Sequence, residues 1–330
     1  MKRRSWTIFL AFLLTAVFLG LALRNLSWAE MREAFAAADM RWLPLIYMVT
    51  FVDLAVRAMR WRLLLSPVAD APAGVLYRLE AIGLAANNII VARLGELGRA
   101  ALAGRKLKIP FLAALSSIVV ERLCDTVAVL ILFNAAAFYN AGIISPKLRL
   151  ITLGVLLCAL SVLAVLVFAH RALEPGGALE SGLKRVPKAR DLSLKLVTGA
   201  RALRTWLAFP ILGLSLLLWC VDSVTFWIVD KSMGLGLLDF GRAVLVLGWG
   251  AAGASIPAAP GAVGTFEAVV RDGMQTMGAT APQALVYALI AHIMGYFTVT
   301  VLGLIFMSME GLSLAKFEEG AEKVSLEAKR

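Results

Sequence analysis

The stretch SIPAAPGAVGTFEA, residues 255–268, places two prolines, two glycines and a carboxylate inside an apolar segment. Proline lacks a backbone N–H donor and glycine readily adopts turn conformations, so a helix is expected to break here. In lipid, broken backbone hydrogen bonds are tolerated only where the chain is buried in protein or lines a watery cavity. If the chain spans a membrane, this stretch therefore predicts a broken helix beside a sheltered polar space.

The composition indicates that the chain does span a membrane. Of its 330 residues, 60% are hydrophobic and 17% are charged, whereas a soluble domain has about 45–50% apolar and about 25% charged residues. The net charge of +11 suits loops that face an anionic leaflet. No soluble domain remains to gather basic residues on one face, so nucleic acid is not expected as a partner.

The sequence offers little to a metal ion or to nucleotide hydrolysis. Its three cysteines lie singly in apolar runs and its two histidines are His170 and His292, so no metal-ligand spacing is present. The P-loop pattern G-x-x-x-x-G-K-[ST] does not occur in the sequence. We therefore expect no metal, no cofactor and no enzymatic activity.

Six apolar runs come close to or exceed the length of about 20 residues that a transmembrane helix needs. They cover residues 6–23, 43–65, 111–139, 150–169, 206–229 and 282–307. The first run follows MKRR and is interpreted as an uncleaved signal anchor. Basic residues concentrate in RAMRWR and in residues 171–204, and the positive-inside rule places these loops and both termini in the cytoplasm.

Two more apolar stretches, residues 73–98 and 243–268, are interrupted. Because six full spans already return both termini to the cytoplasm, each interrupted stretch is expected to leave the membrane on the side where it enters. The first then enters from the cytoplasm and the second from outside. The alternative is that each stretch forms one or two kinked spans.

The two interrupted stretches share a spacing of small residues. The matching positions, at one constant offset, are Ala92 with Ala258, Gly95 with Gly261, and Gly98 with Gly264. Each unit reads as span, broken hairpin, span, and we interpret the two units as inverted repeats because they enter from opposite sides. In transporters of this design the substrate site lies at the repeat interface. Chance similarity in a chain rich in alanine and glycine is the alternative.

The predicted fold is an all-α polytopic membrane protein with about six transmembrane helices and two re-entrant broken-helix hairpins. One integral membrane domain fills the chain. Its predicted parts are a signal anchor with an amphipathic segment (1–42), a first repeat (43–139), a connecting span with a basic cytoplasmic loop (150–204), a second repeat (205–310) and a cytoplasmic tail (311–330).

Charged residues within apolar helices mark candidate sites, because each costs about 2.5–3.5 kcal/mol at the centre of a span. Glu121, Arg122 and Asp125 share roughly one face of their predicted helix. Arg122 is expected to support a polar cavity, positioned by the two acids. The alternative is a buried structural group that pins the hairpin.

The first hairpin carries Asn88, Arg93, Glu96 and Arg99. Broken helices present free backbone N–H groups at their N-termini, and arginine offers a planar fork that suits phosphate. We therefore expect Arg93 or Arg99 to contact a lipid phosphate, the alternative being that they cap the hairpin itself.

The second hairpin carries Pro260, Gly261, Gly264 and Glu267 at its turn. Glu267 is expected either to pair with a cation across the repeat interface, such as Arg93 or Arg122, or to cap the turn. His292, in an apolar helix, is interpreted as a satisfied core group, although it completes the set of candidate substrate-binding residues.

Two further groups receive structural interpretations. Asp53 and Arg57 form an i, i+4 pair near the inner end of the second span. Arg57, Arg60 and Arg62 are interpreted as anchors at the membrane edge, where long side chains reach towards water. Asp222, alone in its span, is expected to make a hydrogen bond within the helix bundle.

Four motifs occur in the order RAMRWRLLL, NNIIVARLGELGRA, VVERLCD and SIPAAPGAVGTFEA. Together they resemble the membrane region of the lysylphosphatidylglycerol synthase family, the flippase-like part of the bacterial multiple peptide resistance factor, over roughly residues 43–307. The resemblance implies a multi-helix domain in the bacterial cytoplasmic (inner) membrane, with re-entrant segments that help lipids move between leaflets.

The chain departs from the family pattern in three ways. Val91 stands where the family usually has a proline, so the first turn is expected to be less sharply broken. His292 stands where an arginine is common, which removes a fixed positive charge. The soluble acyltransferase domain is absent from the sequence, so we do not expect a complete lysyl-transferring enzyme.

The expected function is transport of an anionic phospholipid or a polyprenyl phosphate without ATP. The membrane potential, worth about 2.3 kcal/mol per charge per 100 mV, favours outward movement of an anionic headgroup. Proton coupling through Glu121, Asp125 or Glu267 is left open, as is a homo-oligomer. The alternatives are an intramembrane lipid-phosphate transferase, with Mg²⁺ on those acids, and a membrane scaffold for a separate lipid-synthesis enzyme.

Overall fold

The protein is helical throughout the part that the computed structural model describes, namely residues 13–18, 20, 23, 27–90, 94–173, 199–256 and 260–327. No strand occurs within these ranges. The α-helices are α1 (Trp28–Ala36), α2 (Leu43–Leu65), α3 (Ala73–Ile89), α4 (Gly95–Leu107), α5 (Phe111–Tyr139), α6 (Pro146–Leu173), α7 (Ala208–Ser232), α8 (Phe240–Ser255), α9 (Thr265–Thr276), α10 (Ala281–Met309) and α11 (Leu314–Glu327). The all-α prediction is confirmed for these residues.

Local chemistry sets the helix boundaries. Helices α2 and α10 carry a proline in their first turn, where its missing N–H costs nothing. Thr280 and Gln283 form a reciprocal capping box at the start of α10, and Asp239 caps α8 by accepting a hydrogen bond from the backbone of Arg242. These caps satisfy donors that a helix start would otherwise leave unpaired.

Four helical segments of the described residues are long and apolar enough to cross a membrane. They are Met40–Leu65, Pro146–Phe168, Ala208–Ser232 and Ala281–Met309, and they confirm four of the six predicted spans. The 29 residues of α5 also suffice for a crossing, at about 1.5 Å per residue, but Glu121, Arg122 and Asp125 interrupt its apolar surface. The predicted span at residues 6–23 lies mostly outside the described residues.

Both interrupted stretches fold as antiparallel helical hairpins, α3 with α4 and α8 with α9. The helices approach so closely that only glycine fits between them. A Cβ on Gly95 would come within 2.1 Å of the carbonyl oxygen of Gly83, and one on Gly253 would lie 2.8 Å from that of Thr265. Glycines at these contacts therefore allow the two halves of each stretch to pack together.

The entry helices of the two hairpins end at matching positions. Ile90 and Ile256 both turn into extended backbone, with ψ of 130° and 127°, and they lie 166 residues apart (256 minus 90), the same offset as the predicted glycine match. The exit helices differ, because α4 starts at Gly95 whereas Gly261 and Gly264 take positive φ values before α9 begins at Thr265. Val91, Ala92 and Ala258 fall outside the described residues.

The units formed by α2–α5 and by α7–α10 pack in the same pattern. In each unit the first helix packs against the entry helix and the last helix, and the last helix packs against the exit helix. Between the units, α2 packs against α7, α3 lies along α10, and α8 lies along α5. The two units therefore make corresponding contacts within themselves and across their interface.

The remaining helices surround these two units. Helix α6 packs on α5 and leaves most of its apolar side chains exposed, Leu150 by 72% and Val165 by 65%, as a lipid-facing helix does. The tail helix α11 docks on α4, where the Phe317 ring occupies the space that a side chain at Gly98 would need.

Candidate functional site

A cavity of about 480 Å³ lies where the two units meet. Its walls come from both hairpins and from helices α2, α5, α7 and α10. The charged or titratable residues that line it are Asp53, Arg57, Glu96, Arg122, Asp222, His292 and Tyr296. A polar cavity therefore lies beside the breaks of both hairpins, as the proline- and glycine-containing stretch predicts.

Half of the twelve predicted binding residues line this cavity. They are Asn88, Glu96, Arg122, Pro260, Gly261 and His292. Another five, Arg99, Glu121, Asp125, Gly264 and Glu267, are not part of its lining. Arg93 lies outside the described residues, so the phosphate contact suggested for it stays a prediction.

Arg122 faces the cavity while three carboxylates hold its guanidinium. It contacts Glu121 directly, lies 3.5 Å from an oxygen of Asp125, and lies 3.7 Å from an oxygen of Glu96 on the exit helix α4. Its side chain is 36% exposed, whereas that of Glu121 is fully buried. The geometry thus combines both interpretations of the sequence, because the acids that position Arg122 also tie α5 to the first hairpin.

A second layer of ion pairs lies behind this wall. Arg60 contacts Asp125 and donates to the Ser215 hydroxyl at 3.0 Å. Arg99 contacts Glu80 and donates to Glu121 at 3.1 Å. Both arginines are at most 2% exposed. Glu121 is therefore surrounded by three arginines, because Arg60 lies 3.6 Å from it in addition to Arg99 and Arg122.

The burial of Arg99 separates it from the cavity. Its guanidinium lies 4.4 Å from the centre of the Trp61 ring, in an arrangement typical of a cation on an aromatic face. A lipid phosphate in the cavity would meet Arg122 or Arg57 before it met Arg99. The alternative suggested for Arg99, a structural role in the hairpin, agrees better with this position.

The interpretation of Arg57 and Arg60 as membrane-edge anchors is wrong. The side chain of Arg57 is 12% exposed, and its Nε lies 2.8 Å from Asp53. The i, i+4 pair points towards α7, where Arg57 also lies 3.4 Å from Asp222, which confirms an intrabundle partner for that acid. Arg62 is 51% exposed and does suit the surface.

Glu267 caps its own turn and also holds His292. One carboxylate oxygen accepts a hydrogen bond of 2.6 Å from the backbone N–H of Gly264, and the other lies 2.6 Å from His292 Nδ1. The capping alternative therefore describes the structure, and the partner across the contact is a histidine instead of Arg122. His292 is a satisfied group, as predicted, but it also lines the cavity.

Several lining residues gave a weak signal or none in the sequence. Tyr296 donates to the backbone carbonyl of Asn88, and its ring fills the space next to Gly261, where a Cβ would come within 2.1 Å of it. Asn87 accepts a hydrogen bond of 2.9 Å from the backbone of Gly95. A lone tyrosine in an apolar helix resembles ordinary core, so only the tertiary structure identifies it.

The arrangement suits recognition of a charged group that carries both signs. Two arginines and three carboxylates line the cavity, and each arginine is already paired with a carboxylate. A charged group that enters would therefore replace one partner of an existing ion pair whose side chains are held in place.

Among the described residues, no group of three His, Cys, Asp or Glu side chains is arranged to hold a metal ion.

Comparison with known proteins agrees with these observations. A family model described as the lysylphosphatidylglycerol synthase TM region matches residues 8–303, a range that includes both hairpins and every residue of the cavity wall. No curated protein matches the chain significantly. The chain belongs to the family of the lysylphosphatidylglycerol synthase transmembrane region.

Proposed function

We propose that this protein is a flippase-like transporter that carries a lipid headgroup between leaflets through the cavity, without ATP. The observation that carries the proposal is the polar cavity of about 480 Å³ between two reciprocally packed helix–break–helix units. Discontinuous helices that meet at a repeat interface form the substrate sites of many transporters. Membership of the family supports a role in lipid metabolism.

In this proposal the two units are inverted repeats and their hairpins are re-entrant. The four hairpin helices have 17, 13, 16 and 12 residues, or about 18–26 Å each at about 1.5 Å per residue. A bilayer core is about 30 Å thick, so none of them would cross it alone. Helix α5 would cross the membrane, because it occupies the place that the apolar α10 has in the other unit.

We propose that the protein lies in the inner membrane of a bacterial cell and that both of its termini are cytoplasmic. The exposed basic residues Arg62, Arg105, Lys106 and Lys108 flank the first hairpin, which would place its ends on the positive, cytoplasmic side. The second hairpin would then begin and end outside.

The balance of charges in the wall supports a headgroup that contains both a phosphate and an amine. Arg57 and Arg122 would exchange partners with the phosphate, while Glu96, Asp53 or Asp222 would accept the amine. The membrane potential alone favours an anionic lipid, but three carboxylates against two arginines disfavour a purely anionic group. The fixed charges would replace the water that a headgroup loses on leaving the surface.

An intramembrane transferase has less support. A Mg²⁺-dependent reaction needs several free oxygen ligands, but Glu121 and Asp125 are engaged by arginines. Glu267 is engaged by Gly264 and His292. A scaffold role does not account for the charged cavity between the two units.

The test uses the purified full-length chain in liposomes. Phospholipids with a dye on one acyl chain, and with phosphatidylethanolamine or phosphatidylglycerol as natural headgroup, are exposed to a quencher that cannot cross the membrane. We expect the protein to make inner-leaflet dye accessible, faster for phosphatidylethanolamine, and mass spectrometry to find the lipids unchanged. Dye that stays protected, or lipid that is chemically converted, would overturn the proposal.

A further inference from the structure

The ion pairs around the cavity contain more carboxylates than arginines. Asp53 and Asp222 share one arginine, Arg57. In the adjoining network, Arg60, Arg99 and Arg122 contact Glu80, Glu96, Glu121 and Asp125. Each group therefore has one carboxylate in excess, and in a low-dielectric interior an uncompensated charge is strongly disfavoured.

The excess in the first group lies at the cavity wall. Asp53 is 6% exposed, and its oxygen Oδ1 receives no hydrogen bond. Asp53 and Asp222 both line the cavity, and both contact the same guanidinium, with Asp53 Oδ2 at 2.8 Å from Arg57 Nε and Asp222 Oδ2 at 3.4 Å from Arg57 Nη2. Two carboxylates this close do not ionise independently, because the charge on one opposes the charge on the other.

We propose that Asp53 and Asp222 share one exchangeable proton and form a proton-binding site where α2 of the first unit meets α7 of the second. A proton between the carboxylates leaves one negative charge, which Arg57 balances. A metal ion fits less well, because Mg²⁺ and Ca²⁺ take six or more oxygen ligands and no group of three ligands is arranged for a metal among the described residues.

The surroundings allow this proton to leave. The other charged or titratable groups that face the pair are Arg57 and Arg60 on α2, Tyr77 on α3, Glu96 on α4, Arg122 and Asp125 on α5, and His292 and Tyr296 on α10. Because both carboxylates line the cavity, the proton can be transferred to cavity water or displaced by a cationic headgroup.

This site deepens the proposed function, on which its role in transport rests. The cationic amine of a headgroup and the proton would satisfy the same excess negative charge. Binding of an alkylammonium group between the carboxylates would therefore release one proton to the cavity water, with no covalent bond formed or broken in the lipid. Lipid and proton would then be exchanged across the membrane.

Infrared difference spectroscopy of the purified full-length protein in detergent tests the site directly. A protonated carboxyl group gives a carbonyl-stretch band that an ionised carboxylate lacks. We expect part of the wild-type band at neutral pH to disappear as pH rises, and we expect Asp53→Asn and Asp222→Asn each to lack that part. The excess carboxylate of the adjoining network contributes to the remainder, which both variants should keep. Asp222→Asn serves as the milder variant, since this side chain is 26% exposed and lies 3.4 Å from Arg57.

Asp70→Asn is the matched control, because Asp70 is 91% exposed and pairs with the exposed Arg62, away from the cavity. It should leave the band unchanged. A wild type without a band at neutral pH, or a band of full wild-type intensity in both cavity variants, would overturn the proposal. Loss of the band on adding Na⁺ or Mg²⁺ at constant pH would also overturn it, since the site would then hold a metal cation.

Transport assays separate this inference from the proposed function. In liposomes with a pH gradient, translocation of phosphatidylethanolamine by the wild type should follow the direction of the gradient, and Asp222→Asn should abolish that dependence. If translocation does not depend on the pH gradient and the band is absent, the proton site is wrong but the transport function stands. If the band titrates but no lipid is translocated, the transport function is wrong and the proton site stands.

Discussion

Tyr296 on α10 donates its hydroxyl to the backbone carbonyl of Asn88 at the end of α3. The bond joins the last helix of the second unit to the break in the first. Asn88 returns the contact by donating to the Thr300 hydroxyl at 2.9 Å. The tip of one hairpin is thereby fixed against the other unit at the edge of the cavity.

Removing this hydroxyl should loosen the junction of the units. We expect Tyr296→Phe to lower the free energy of unfolding by about 0.5–1.5 kcal/mol, the usual net worth of one hydrogen bond. Thermal unfolding in detergent measures it. Tyr139→Phe is the control, since Tyr139 is 84% exposed, and equal effects of the two changes would contradict the role of the contact.

A side chain at Gly261 should disturb the second hairpin. The residue has a φ of 70°, and a Cβ there would meet the Tyr296 ring at 2.1 Å. Gly261→Ala is therefore expected to cost about 1 kcal/mol or more in stability and to slow lipid translocation. Gly213→Ala in α7 is the control, because nothing lies within 4 Å of its Cβ position. If Gly261→Ala changes neither stability nor translocation, the turn accommodates a side chain and its geometry does not require glycine.

Arg122 should matter for transport more than for stability. If it exchanges its carboxylates for a lipid phosphate, Arg122→Gln removes a charge-assisted contact worth about 1.5–3 kcal/mol, or roughly a tenfold or larger loss in rate. The liposome assay measures this. Arg62→Gln, with an exposed partner in Asp70, is the matched control and should translocate normally. Full activity of Arg122→Gln would remove this residue from the headgroup path.

Arg99 should matter for stability, because it is buried in the layer behind the wall. Breaking a buried ion pair by removing one partner typically costs about 3–5 kcal/mol, so Arg99→Gln should unfold far more easily than Arg62→Gln, whose exposed pair is worth at most about 1 kcal/mol. Chemical denaturation in detergent compares the two. Similar unfolding of both variants would mean that Glu80 and Glu121 find other partners.

The membrane topology can be tested by cysteine labelling in a chain without its native cysteines. Cysteines at Asp70 and Lys108, which flank the first hairpin, should react only with a cytoplasmic reagent. Cysteines at Phe240 and Gln275, which flank the second, should react only from outside. If the two ends of either hairpin label from opposite sides, that hairpin is a kinked full span and the inverted arrangement fails.

The amino-acid sequence is enough to predict where most helices form and where they break. Long apolar runs give α2, α6, α7 and α10, because a helix satisfies its own backbone in lipid. Proline and glycine end α8 near Ile256, and a matching small-residue spacing anticipates the end of α3 at Ile90. These outcomes depend on residues close together in the chain and on the surrounding solvent, so a linear sequence contains them.

The pairing of charges, by contrast, depends on how the helices pack in three dimensions. Arg57 and Asp222 are 165 residues apart in sequence, and the local pattern around Arg57 resembles that of an anchor at a membrane edge. Arg99 and Arg122 likewise look similar in sequence, yet one is buried among acids and the other lines the cavity. The physical reason is that an ion pair in a membrane depends on which helix faces pack together, and that packing is set by the whole bundle.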